Sequence, residues 1–143
     1  MGKKKIKLGL DEIGFITTFE NFTKTNVKDC IINTKKNKIT FVVEEGKAGA
    51  AIGRGGINIK NLEQKLNKKV EVLEFSADPL VFLSNLFRPI KIKNAYISEK
   101  SDGSKILNAS IARDRFGMVK AKMNYAKELI QKYYNFDEIN FQQ

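Results

Sequence analysis

Hydrophobic positions near the start of the chain recur at helical intervals. In LDEIGFITTFENFTK, Leu10, Ile13, Ile16, Phe19 and Phe22 stand about one turn apart, which predicts an amphipathic helix burying an aromatic-rich face. The period then shortens to two. VKDCIINTKKNKITFVVEE reads as two strands joined by the polar turn Asn33 to Asn37, with Ile39, Phe41 and Val43 alternating on one face. GKAGAAI predicts a short helix of small residues. A helix from Gly56 to Asn67 follows, with Ile59, Leu62 and Leu66 on one stripe, and KKVEVLEF supplies a strand in which Val70 and Val72 alternate.

At SADPLVFLSNLF the pattern restarts. Asp78 is placed to cap a helix whose early position is Pro79 and whose buried side carries Leu80, Leu83, Leu86 and Phe87. RPIKIKNAYIS and KILNASIA flank EKSDGS, where Asp102-Gly103 signals a hairpin turn. Phe116, Val119, Met123, Ala126, Ile130 and Tyr133 then recur at three- and four-residue intervals over a long helix, and FDEINF supplies a closing strand. The same element order has run twice, so the chain reads as two units, residues 1–77 and 78–143, related by order rather than by close identity.

Composition narrows what such units do. The chain carries 26 Lys and Arg against 16 Asp and Glu, a net +10 over 143 residues shared by both halves, which favours a polyanionic partner. Histidine is absent and Cys30 is the one cysteine, so imidazole or thiolate zinc sites, histidine acid–base catalysis and disulfide frameworks are excluded by inventory. No cofactor, metal or catalytic residue is predicted. Cys30, in a β-branched run, reads as a small buried hydrophobe. Neither a membrane span nor a secretory signal is visible, and the lysines of MGKKKIKLGL read as a solvated arm, which points to the cytoplasm. Glu44-Glu45 and Asp137-Glu138 read as solvated strand ends, and Tyr125, Tyr133, Tyr134 and Phe136 as packing residues rather than base-stacking ones.

Candidate chemistry concentrates in AIGRGGINIKNL. Gly53, Gly55 and Gly56 fall within four positions between two helices, where a turn needs residues that accept positive φ and where a missing side chain lets a ligand reach the backbone. The first amides of the following helix lack intrahelical acceptors and suit a phosphate oxygen, to which Arg54 adds a cation. The dinucleotide fingerprint fails, because its third glycine falls on Asn58. The P-loop fails because Gly2-Lys3 and Gly46-Lys47 are followed by Lys4 and Ala48.

AIGRGGINIKNLEQKLNKKVEVLEF resembles the core of a KH domain: Ile52, the loop Gly53-Arg54-Gly55-Gly56, then Ile59 and Leu62 stand in that family's hydrophobic-GXXG-x-x-hydrophobic spacing. In that family the GXXG loop clamps the backbone of four nucleotides. A helix and strand ahead of the β-α-α-β core resemble the type II arrangement. The resemblance implies an α+β fold of two tandem type II KH-like domains, each a three-stranded sheet packed against helices, similar to the KH pair of the NusA transcription termination and antitermination factors in their short archaeal form. In the second unit the best alignment sets Phe116 and Gly117 where Ile52 and Gly53 stand, and Lys120 replaces the last glycine, so its loop is degenerate. Phosphate contact there would rest on Arg113, Arg115, Lys120 and Lys122.

The implied function is single-stranded RNA binding in transcription elongation or termination by a monomeric, non-enzymatic protein. Gly53, Arg54, Gly55 and Gly56 hold the phosphates, Ile52 and Ile59 give the bases an apolar floor, and Asn58 and Lys60 rim it. An accessory role in ribosome assembly is the alternative. RNA polymerase or other transcription factors are further candidate partners. Direct polymerase contact is not implied, because the two units use all 143 residues and leave none for the bacterial factor's polymerase-binding and S1 regions.

Overall fold

The computed structural model describes residues 9–143; the lysines of the basic tract at 3–5 lie outside the described residues. Two compact units follow one another, the first ending at Ala77 and the second beginning at Asp78.

The first unit runs α1 (Leu10–Thr23), β1 (Val27–Asn33), β2 (Lys38–Val43), α2 (Ala48–Ile52), a 3-10 turn (Arg54–Gly56), α3 (Ile57–Leu66) and β3 (Lys69–Glu74). β2 is central, antiparallel to β1 and parallel to β3. Parallel neighbours cannot be joined by a tight turn, so α2 and α3 form the crossover that returns the chain to the start of β3. Ile39, Phe41 and Val43 are fully buried and meet Ile16 and Phe19 of α1, Ala51 of α2, Leu62 of α3 and Cys30 of β1 in one core. Phe19 stacks on Phe41 with ring centroids 4.2 Å apart.

The alternation of β2 therefore sets the core, and α1 meets it with a different stripe from the expected one. Ile16, Phe19 and Thr23 are buried, whereas Leu10 is 89% exposed and Ile13 48%. At ~100° per residue, a strict three-residue repeat slips about 60° at each step, so positions 10 to 22 wind around the helix instead of lining one face. The i, i+3, i+7 set starting at Ile16 stays in phase.

β3 is an edge strand. The amides of Lys69 and Phe75 turn inward, to Asn37 O at 3.0 Å and Val43 O at 2.9 Å, so Val70 and Val72 present theirs to the outer edge. Glu63 of α3 reaches over to accept the Val70 amide through Oε2 at 3.0 Å.

The second unit runs α4 (Pro79–Phe87), β4 (Ile92–Glu99), β5 (Lys105–Ile111), α5 (Arg113–Tyr133) and β6 (Glu138–Gln142). β5 is central, antiparallel to β4 and parallel to β6, repeating the sheet of the first unit. Asp78 caps α4, accepting the Leu80 amide at 2.9 Å, with Pro79 in the first turn. Phe82 joins Leu83, Leu86 and Phe87 among the buried residues of α4 and takes the place expected for the half-buried Leu80. The sheet face carrying Asn108 and Asn140 holds a polar ladder, with Asn108 Nδ2 donating to Ser98 Oγ at 2.9 Å.

One expectation differs in this unit. The positions aligned with the glycine loop, Gly117 to Lys120, lie inside α5, which is continuous over 21 residues. A single glycine on a helix surface costs ~1 kcal/mol and does not end the helix, whereas three glycines at positive φ in the first unit do.

Candidate nucleic-acid interface

The break between α2 and α3 is built by three glycines in two different ways. Gly53 ends α2 at φ +80°, ψ 167°, while Gly55 and Gly56 lie at φ +63° and +78°. A Cβ on Gly53 would come within 2.9 Å of the Asn58 side chain, but a Cβ on Gly55 or Gly56 would meet nothing within 4 Å. Gly53 is thus required by both conformation and space. Gly55 and Gly56 face open surroundings.

The loop is closed from within. Gly53 N–H donates to Gly49 O at 3.0 Å, Gly56 N–H to Gly53 O at 3.0 Å, and Ile57 N–H to Arg54 O. The amides of Gly56 and Ile57, expected to face a phosphate, are therefore used by the turn. The exposed Arg54 and Gly55 form the approachable part, with a guanidinium beside backbone that carries no side chain. Asn58 braces this turn. Its Nδ2 donates to Ala50 O at 3.2 Å, tying the start of α3 back to α2.

Two apolar side chains flank the loop. Ile52, at the end of α2, is 37% exposed, and Ile57, at the start of α3, is 55% exposed. Ile59 packs against the core with Leu62 and Leu66, so the exposed apolar surface comes from Ile52 and Ile57. The sequence signal for Ile57 was its phase: it falls on the polar face of α3 with Lys60, Asn61 and Gln64, where an isoleucine has no core to fill. Lys60 is exposed on that face.

Acidic side chains near the loop are engaged elsewhere. Glu74 Oε1 accepts the Ala48 amide at the start of α2, Glu45 Oε1 accepts the Ala77 amide, and Glu44 pairs with Lys28 Nζ at 3.9 Å. The acidic pairs close strand ends through the backbone: in the second unit Asp137 Oδ2 accepts the Lys105 amide at 2.8 Å. Arg54 is left without a competing carboxylate in the loop itself.

The four basic residues of the second unit do not converge. Arg113 and Lys120 are seven residues apart on one side of α5, and Arg115 and Lys122 are seven apart on the opposite side. Arg113, Arg115 and Lys120 are exposed, whereas Lys122 is half-buried and engaged. Among the described residues no group of three or more His, Cys, Asp or Glu could hold a metal ion. No helix among them is long and apolar enough to cross a membrane.

A family model described as KH domain matches residues 16–95, from the buried part of α1 through the glycine loop and into β4. Over 140 residues the chain is 31% identical to the probable transcription termination protein NusA of Methanocaldococcus jannaschii, covering 94% of this chain and 74% of the relative. The chain belongs to the archaeal NusA family of KH-domain proteins. The Methanococcus vannielii protein of the same name is 41% identical over 95 residues, 66% of this chain and 54% of its own. The crystal structure of the protein APE1850 superposes with a TM-score of 0.76 at 29% identity, covering 94% of this chain and all of that one. Membership accounts for the repeated sheet order and for the tandem type II arrangement, an α+β fold with two three-stranded sheets packed against helices.

Proposed function

We propose that this chain binds single-stranded RNA in transcription elongation and termination, and that it grips the backbone at Gly53–Gly56. The observation that carries the reading is the open, positive-φ surface of Gly55 and Gly56 beside the exposed Arg54, flanked by the solvent-facing Ile52 and Ile57. Phosphate oxygens approach a backbone without side chains, the guanidinium supplies two parallel donors, and the isoleucines give adjacent bases an apolar seat. The names of the relatives support a role in transcription, and the net charge of +10 supports a polyanionic partner. The protein acts by binding rather than catalysis, in the cytoplasm, and the arginines and lysines of α5 add attraction without a glycine clamp.

The test is binding of fluorescent single-stranded RNA and DNA of equal sequence across a salt titration, to wild type and to an R54D/G55D variant. Loss of RNA binding with a shallower salt dependence is the expected result, each lost phosphate contact lowering the slope by about 0.7. A folded variant that binds as well as wild type would overturn the loop reading. Copurification with ribosomal particles in place of polymerase would move the role to ribosome assembly.

A further inference from the structure

The far end of α3 carries a second, differently built cationic feature. The β1–β2 turn and the α3–β3 turn meet there around a cleft of about 330 Å³ lined by Lys36, Asn37, Glu63, Asn67, Lys68 and Lys69. Asn37 cross-links the two turns: its Nδ2 donates to Asn67 O at 3.2 Å, its carbonyl accepts the Lys69 amide at 3.0 Å, and its Oδ1 accepts from Lys68 Nζ at 2.9 Å. Both Asn37 and Asn67 hold positive φ, of 49° and 54°, which folds each turn tightly enough for the two to touch. The lysines are thereby presented from a braced frame. None of the three ion-pairs with an acid among the described residues, and the one acid of the cleft, Glu63, is bonded to the Val70 amide.

Loop and cleft lie at the two ends of α3. Ile57, Lys60, Asn61 and Gln64 share its polar face, no acid lies among them, and Lys68 follows beyond the left-handed Asn67 that ends the helix. The ten residues of α3 span about 15 Å. At the ~3.4 Å rise of a stacked strand this is the length of about four nucleotides.

We propose that the Lys36–Lys68–Lys69 cleft is a second phosphate-binding subsite, and that an RNA held at the glycine loop runs along the outer face of α3 into it. The inference rests on the RNA reading above and deepens it, extending the footprint from about four nucleotides to about eight. The cleft reads backbone charge and carries no sequence preference, because its donors are flexible ammonium groups.

The experiment compares a four-nucleotide and a ten-nucleotide RNA, by fluorescence anisotropy at several salt concentrations, on the full chain and its K36Q/K68Q/K69Q, E63Q and R54D/G55D variants. Three lost counterion-releasing contacts at about 0.7 each lower the salt slope of the ten-mer by about 2 and its affinity at 0.1 M salt by roughly ten- to hundredfold, while the ratio of ten-mer to four-mer affinity collapses. E63Q retains an oxygen for the Val70 amide and removes the cleft's negative charge, so the ten-mer tightens by roughly two- to fivefold. Equal weakening of both RNAs, or a ten-mer indifferent to the lysines, would overturn the subsite. If R54D/G55D leaves both RNAs bound, the loop reading fails separately. If the lysine variant instead loses an acidic protein partner while RNA binding is intact, the cleft belongs to that partner and the subsite is refuted.

Discussion

Replacing Gly53 by alanine probes the loop at its most constrained point. Gly53 lies at φ +80°, ψ 167°, a region that is essentially glycine-only and costs of order 1–3 kcal/mol for any other residue. The added Cβ would stand 2.9 Å from Asn58 Cγ and Nδ2. The amide can swing clear, but only by giving up its bond to Ala50 O, worth about 0.5–1.5 kcal/mol. The two contributions sum to about 1.5–4.5 kcal/mol. For a unit of this size a loss of 1 kcal/mol lowers the melting temperature by about 4–8 °C, so the expected drop is at least about 6 °C. Gly55→Asn is the matched control, because Gly55 sits at φ +63° with nothing within 4 Å and asparagine tolerates that region. Thermal unfolding by circular dichroism, with native-state amide exchange followed at Phe41 and Leu62, assigns the loss to the first unit. A Gly53→Ala protein melting within about 2 °C of wild type, or a costlier Gly55→Asn, would refute the argument.

Asp78→Ala removes the acceptor for the Leu80 amide and lowers stability by about 1 kcal/mol, whereas Asp78→Asn restores most of it; the denaturation midpoint should move with an unchanged slope. In the β4–β5 turn, bonds from the Ser104 side chain and amide hold the Asp102 carboxyl below its ordinary value of 3.8. A lowered value means that its contribution is complete above 3.8 and is lost as pH falls through the folded value. The Ser104 amide resonance should therefore titrate below pH 3.8, and should not do so in Asp102→Asn.

The central strand of the first sheet was legible in the sequence because Ile39, Phe41 and Val43 recur at every second position, although the intervening Thr40 and Val42 are buried as well. The hairpin turns were legible because Asn33–Asn37 and Asp102-Gly103 carry their own chemistry. Helix faces were less secure: the three-residue ladder in α1 drew in Leu10 and Ile13, and a fourth aliphatic, Leu80, outranked Phe82 in α4. The glycine loop could be found from spacing, but not its internal closure. That Asn58 would brace α2 and leave Ile57 as the exposed neighbour depends on where the α3 turn begins, which local composition does not fix. Likewise the lysine cleft joins residues about thirty positions apart through the parallel register of β2 and β3.

The bond from Glu63 to the Val70 amide has a consequence for self-association. An uncovered sheet edge is a template on which another copy's strand can grow, and it is usually blunted by charge or by a covering segment. Here the first outward donor of β3 is occupied by a carboxylate from the adjacent helix, flanked by the charged Lys69 and Glu71. An incoming strand would have to displace that carboxylate before it could form its first rung. The outward amide of Val72, further along the strand, has no such guard among the described residues. The edge is thus guarded at the rung from which strand addition along β3 would begin.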